Sequence, residues 1–115
     1  MIRKAADARV ETRDKMRGGA GTTTLIHLLE KTDFTAKTRL CCKIILPPGS
    51  GIGEHCHEKE DEVFIVTKGR GLLHDGKSET AVSAGDTILT GKGESHAIRN
   101  DGNTNLEIYA LIMCY

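Results

Sequence analysis

The sequence predicts an all-β fold closed into one small barrel. Three observations carry this: short β-branched and aliphatic runs recur along the chain, Gly-rich turn signals separate them, and no helical stripe is sustained after residue 30. Strands of this kind each have one face to bury and pack as a sandwich or barrel. With 115 residues there is material for one domain and one core.

Residues 1–17 are charged and keep no period, so they are read as an N-terminal tail, an arm laid on a partner, or a short edge element. The barrel domain is assigned to residues 18–115, starting at the break Gly18 to Thr22. The strand-length run TTTLIHLL follows, then LCCKIIL, the turn PPGSG, and a His-rich segment. Next come VFIVT, a Gly-Arg break, GLLH, and the hairpin signal Asp75-Gly76. TAVS, TILT, HAIR and LEIYALIMCY, divided by Ala84-Gly85-Asp86, GKGES and NDGN, bring the expected total to eight to ten strands. Strand parity puts Leu106, Ile108, Ala110, Ile112 and Cys114 on one face of the last run, and Glu107, Tyr109, Leu111 and Met113 on the other.

Composition narrows the function. Sixteen basic residues balance sixteen acidic ones, which leaves no long-range field for nucleic acid or an anionic membrane. Two Phe, two Tyr and no Trp leave little for stacking against bases. Neither nucleic acid nor membrane is an expected partner; a small molecule is. No apolar run is long enough for a signal peptide or a membrane span, so a cytoplasmic protein is expected, with its four cysteines as reduced thiols. A barrel this small has a poor ratio of core to surface, and pairing into a homodimer is the expected remedy.

The chemistry is concentrated in GSGIGEHCHEKEDE. His55 and His57 are two apart, so a strand places both on one face and Cys56 on the other. Glu62 follows after the charged stretch EKED, and a hairpin there would set it opposite the histidines. An isolated H-x-H pair is more often a pair of surface or hydrogen-bonded strand residues. The second segment, GDTILTGKGESHAIRN, changes that balance by supplying His96 after a Gly-rich turn. Two imidazoles and a carboxylate, with a third imidazole in reach, are a donor set that first-row metals prefer.

These segments resemble the two motifs of the cupin superfamily. The first, G-x5-H-x-H-x(3,4)-E-x6-G, is met by Gly49, His55, His57, Glu62 and Gly69. The second, G-x5-P-x-G-x2-H-x3-N, is met by Gly85, Gly93, His96 and Asn100, with Gly91 where the family has Pro. That departure loosens the loop before His96 without touching a ligand. The resemblance implies a jelly-roll barrel, the double-stranded β-helix of cupins. It also implies one divalent transition metal (Fe, Mn, Zn, Ni, Co or Cu) on His55, His57, Glu62 and His96. The function it implies is a metalloenzyme of dioxygenase or isomerase type acting on a small molecule. The alternative is a non-catalytic binding or sensing module with a structural metal.

No catalytic acid or base is assigned. His27 is more simply a structural or surface residue, the role of Tyr109 is left open, His74 belongs to its hairpin, and Cys41, Cys42 and Cys114 read as core filler. With Glu62 turned to the lumen, Phe64 and Val66 follow it inward, and Ile98 does so after His96, giving an aliphatic wall.

Overall fold

A computed structural model of the chain describes residues 1–115. Ten strands follow one another: β1 (Arg9–Asp14), β2 (Thr22–Leu29), β3 (Thr38–Leu46), β4 (Gly51–Cys56) and β5 (Glu60–Lys68). The second half contributes β6 (Arg70–His74), β7 (Glu79–Ser83), β8 (Thr87–Thr90), β9 (Ser95–Arg99) and β10 (Leu106–Cys114). The only helical pieces are three single 3-10 turns. No helix is long and apolar enough to cross a membrane.

All pairings are antiparallel and fall into two sheets, one ordered β1-β2-β3-β10-β5-β8 and the other β4-β9-β6-β7. The two sheets face each other as the walls of a jelly-roll barrel. Between them lie Leu25, Ile44, Leu46, Phe64, Leu106 and Ile108, each at most 1% exposed. Burying a side chain of this size stabilises by about 1.5–3 kcal/mol before entropy is counted. The inward face of β10 is the one that parity assigns, since Leu106, Ile108, Ala110 and Ile112 are buried while Tyr109 and Met113 are exposed.

Residues 1–17 contain a strand of the large sheet. β1 pairs with β2 from Arg9↔His27 to Asp14↔Thr22, so the sheet begins before Gly18, with β1 as its edge. Its inward positions are Arg9, Glu11 and Arg13 and its outward ones Val10 and Thr12. This reversed polarity conceals the strand in the sequence. The Asp75-Gly76 hairpin forms as read: Asp75 Oδ1 accepts from the Lys77 and Ser78 backbone N–H groups, both at 2.9 Å.

Candidate metal centre

Three strands and one corner carry the site. His55 on β4 pairs directly with His96 on β9, and a bulge between Ile52 and His55 turns both rings to the barrel interior. His57 lies just past the end of β4, fixed by its N–H to the Glu94 carbonyl (2.9 Å) and by Gly93 N–H donating to its own carbonyl (3.0 Å). Glu62 does not reach the histidines through a hairpin. β4 and β5 belong to different sheets, and the chain crosses the barrel between them through Lys59, whose φ is +55°. Glu62 therefore faces the histidines from the opposite wall. The EKED stretch reads locally as a turn, and only the sheet pairing shows that it changes sheet.

The four donor atoms lie within 4.8 Å of one another. Nε2 of His96 is 3.0 Å from that of His57 and 3.1 Å from that of His55. Glu62 Oε1 is 3.0 Å from His57 Nε2 and 2.9 Å from His96 Nε2. Each ring is anchored through its other nitrogen. His55 Nδ1–H donates to the Gly53 carbonyl (2.7 Å) and His57 Nδ1–H to the Glu60 carboxylate (2.7 Å). At His96, Nδ1 meets the Thr90 hydroxyl at 2.9 Å, and the ring stacks on Phe64 with centroids 4.9 Å apart. Arg39 holds Glu60 in turn through two contacts of 2.9 and 3.0 Å.

These residues fit a metal cation. With Nδ1 protonated and donating, the Nε2 lone pairs of the rings point at one another and at a carboxylate, which is repulsive unless positive charge lies between them. Glu62 Oε1 supports this, because it is buried and takes no well-angled hydrogen bond despite its two close nitrogens. Without a metal, a proton is the alternative occupant. The Glu62 carboxylate, aided by Glu60, holds the His57 pKa above its ordinary value, whereas burial lowers that of His55. Burial works to raise the Glu62 carboxyl, but His57 and His96 outweigh it and the net shift is downward.

A cavity of about 60 Å³ opens at this cluster. His55, His57 and Glu62 line it with the apolar side chains Leu25, Ile44, Ile52, Phe64 and Ile112, as the aliphatic-wall reading anticipates. Three arginines also line it, Arg13, Arg17 and Arg39, and the sequence offers no sign of them there. Two come from the N-terminal segment and the third sits at the bulged end of β3.

The other candidates fall elsewhere. His27 is 6% exposed and meets Glu11 at 2.7 Å, outside the cavity lining. His74 Nδ1 accepts from the Gly76 N–H in its hairpin. Tyr109 is exposed on the outer face of the large sheet. Cys42 is buried, which pushes its thiol up to about 12, while Cys41 and Cys114 are half-buried. Cys56 is exposed and donates to the Gly93 carbonyl, out of phase with the histidines as expected. At Gly91 a Cβ would meet the Asp61 carboxylate, a side-chain end that can move aside. The Gly91 N–H, which Pro would lack, donates to Glu94 Oε1 at 3.3 Å. Asn100 is structural: buried, it donates to the Leu46 and Thr104 carbonyls at 2.8 and 2.7 Å.

Known proteins match this architecture. An oxalate-binding protein of Thermotoga maritima is 41% identical over 113 residues, spanning 98% of this chain and 93% of that one. The crystal structure of a predicted oxalate decarboxylase from Thermotoga maritima superposes with a TM-score of 0.94 at 40% identity, over 100% of both chains. The polyketide cyclase RemF from Streptomyces resistomycificus shares the fold alone, with a TM-score of 0.77 and 16% identity, covering 99% of this chain and 80% of that one. The family described as Cupin domain matches residues 43–112, from the middle of β3 to the inward end of β10, and so takes in all four donors. On that match, and on a relative this similar along nearly its whole length, the protein belongs to the cupin family.

Proposed function

We propose that the protein binds a small dicarboxylate of the oxalate type at a divalent metal held by His55, His57, Glu62 and His96. The observation that carries this is the size and charge of the cavity. About 60 Å³ is roughly two waters' share of liquid, far below a drug-sized pocket, and three arginines line it. A compact dianion fits both limits. The bound metal would supply a Lewis-acidic centre with positions open to a chelating pair of oxygens. The similarity to the Thermotoga oxalate-binding protein supports the same reading.

Binding is favoured over proton-transfer chemistry by what the cavity omits. Apart from His55, His57 and Glu62, its lining has no carboxyl, imidazole, thiol or hydroxyl to serve as general acid or base. An isomerase or decarboxylase at this site would need its protons moved by His55, His57, Glu62 or water. Calorimetry on protein loaded with Mn²⁺ tests the proposal: oxalate should bind with a stoichiometry of one and acetate much more weakly. Equal affinity for the two would overturn it. Formate or carbon dioxide released from oxalate, lost in His55→Ala, would restore the catalytic reading.

A second copy of the chain is proposed as the partner of the outer face of the large sheet. Ile65, Leu89, Tyr109 and Met113 stand exposed there, beside a wholly apolar hollow of about 350 Å³. Lys43 and Glu107 on that face are already closed at 2.6 Å, and Asp61, paired across from Met113 near the strand end, is the charge that an identical face has to leave in water. Sedimentation should show a dimer for the native chain and a monomer for Tyr109→Lys. A native monomer at micromolar concentration would refute this.

A further inference from the structure

One cation at the cavity has no partner within the chain. Of the seven arginines, Arg3, Arg9, Arg13, Arg39, Arg70 and Arg99 each close an ion pair at 2.8 to 3.1 Å. Arg17 closes none and makes no side-chain hydrogen bond, yet it lines the metal cavity with His55, His57 and Glu62. Arg13 and Arg39, the other two arginines there, are committed to Glu11 and Glu60.

The backbone that presents Arg17 is held in an unusual way. Residues 15–21 form a strap between β1 and β2, closed by Lys15 N–H to the Gly21 carbonyl at 2.9 Å. Lys15 and Arg17 sit in the left-handed region with φ of +49° and +53°, although neither is glycine. Such residues persist only where the surroundings over-determine them. Here the surroundings are β4, on which the strap lies directly: a Cβ on Gly53 would run into the Arg17 carbonyl and the Gly19 nitrogen. Met16, between the two left-handed residues, packs on the core and lines the cavity. The strap is thus pinned by Met16 on one side and by glycine contacts on the other, with Arg17 at the mouth.

We infer that Arg17 is the receptor for the two outward oxygens, one from each carboxylate, of the bound dicarboxylate, so that this strap sets ligand specificity. The inference rests on the proposed dicarboxylate-binding function. A dianion that turns one oxygen of each carboxylate to a metal leaves two oxygens facing away, in a cavity whose remaining lining is apolar apart from Arg13 and Arg39, both already paired to carboxylates. Those oxygens need donors, and a planar guanidinium without a prior partner offers two parallel N–H groups to a carboxylate. A monocarboxylate lacks the second group and gains little from Arg17.

The test compares the native protein with Arg17→Asn and Arg17→Lys, all loaded with Mn²⁺, by calorimetry with oxalate and with acetate. Asn is chosen because it tolerates positive φ, and Lys because it keeps the charge but loses the fork. Oxalate affinity is expected to fall at least tenfold in Arg17→Asn and by less in Arg17→Lys. Acetate affinity, metal stoichiometry and melting temperature should not change. Native oxalate affinity retained in Arg17→Asn overturns the inference alone. A parallel loss of bound metal or of thermal stability makes Arg17 structural and also overturns it. Failure of the native protein to bind oxalate removes the underlying function, and this inference with it.

Discussion

The anchoring partners of the histidines are as informative as the ligands. Glu60 is the strongest of them: Arg39, followed by His57, holds its carboxyl down at about 2, so it stays ionised and accepts from His57 Nδ1–H throughout the useful pH range. Glu60→Gln keeps the shape but gives up the charge that favours the donating tautomer. Metal affinity, measured by competition with a chelator, should fall about 10–100-fold while the fold is retained. Strand parity could have found Glu60, since it lies two positions before Glu62 on the same strand; the charged run around it reads instead as a turn. Thr90 left no such trace. It meets His96 only because β8 pairs with β5 in the register Glu62↔Thr90.

At the level of elements, the site depends on two sheets holding their spacing. β4 and β9 supply His55 and His96 from one wall, and β5 supplies Glu62 from the other, with Phe64 two residues on. Phe64 is 1% exposed and stacked on the His96 ring, so it is both core filler and a backing for a ligand. Phe64→Ala should cost about 3–5 kcal/mol in denaturant melts, the usual range for emptying a buried aromatic position. It should also weaken metal binding, because the His96 ring loses its backing; Phe64→Leu should recover most of the stability and less of the affinity. The element least legible in sequence is β1, whose inward residues are charged because they border a polar rim rather than the core.

For the whole molecule, acid is the natural stress. The Glu11 carboxyl is lowered from 4.5 to about 2, first by Arg13 and then by His27, and Glu60 is lowered from 4.5 to about 2 as well. Groups with depressed native pKa values stabilise the fold above their unfolded value and lose that contribution as pH falls through the native one. The share of the melting temperature that these two carboxylates supply should therefore hold down to about pH 4.5 and decline between there and about pH 2. Glu11→Gln should flatten part of that decline. Metal acts in the opposite direction: if it binds the folded chain alone, a free concentration one hundredfold above its Kd adds about 2.7 kcal/mol, and a chelator should reverse the rise in melting temperature. Protons compete for the same centre. Since the His57 pKa lies above its ordinary 6.5, metal affinity should begin to fall at a pH above that value as acid is added.

The barrel, the inward face of β10 and the grouping of His55, His57, Glu62 and His96 are legible in the sequence, the first two through period-two alternation and the last through the cupin motifs that it resembles. Tertiary structure decided the rest. Which wall each donor comes from depends on sheet pairing, and the Arg39–Glu60–His57 relay depends on residues 21 and 3 apart in the chain meeting at a corner. Above all, the structure brought Arg13 and Arg17 from a segment with no readable period to the mouth of the metal cavity. Charge next to a buried site is a long-range relation, set by how β1 and its strap close against β2 and β4, and nothing in local residue order encodes it.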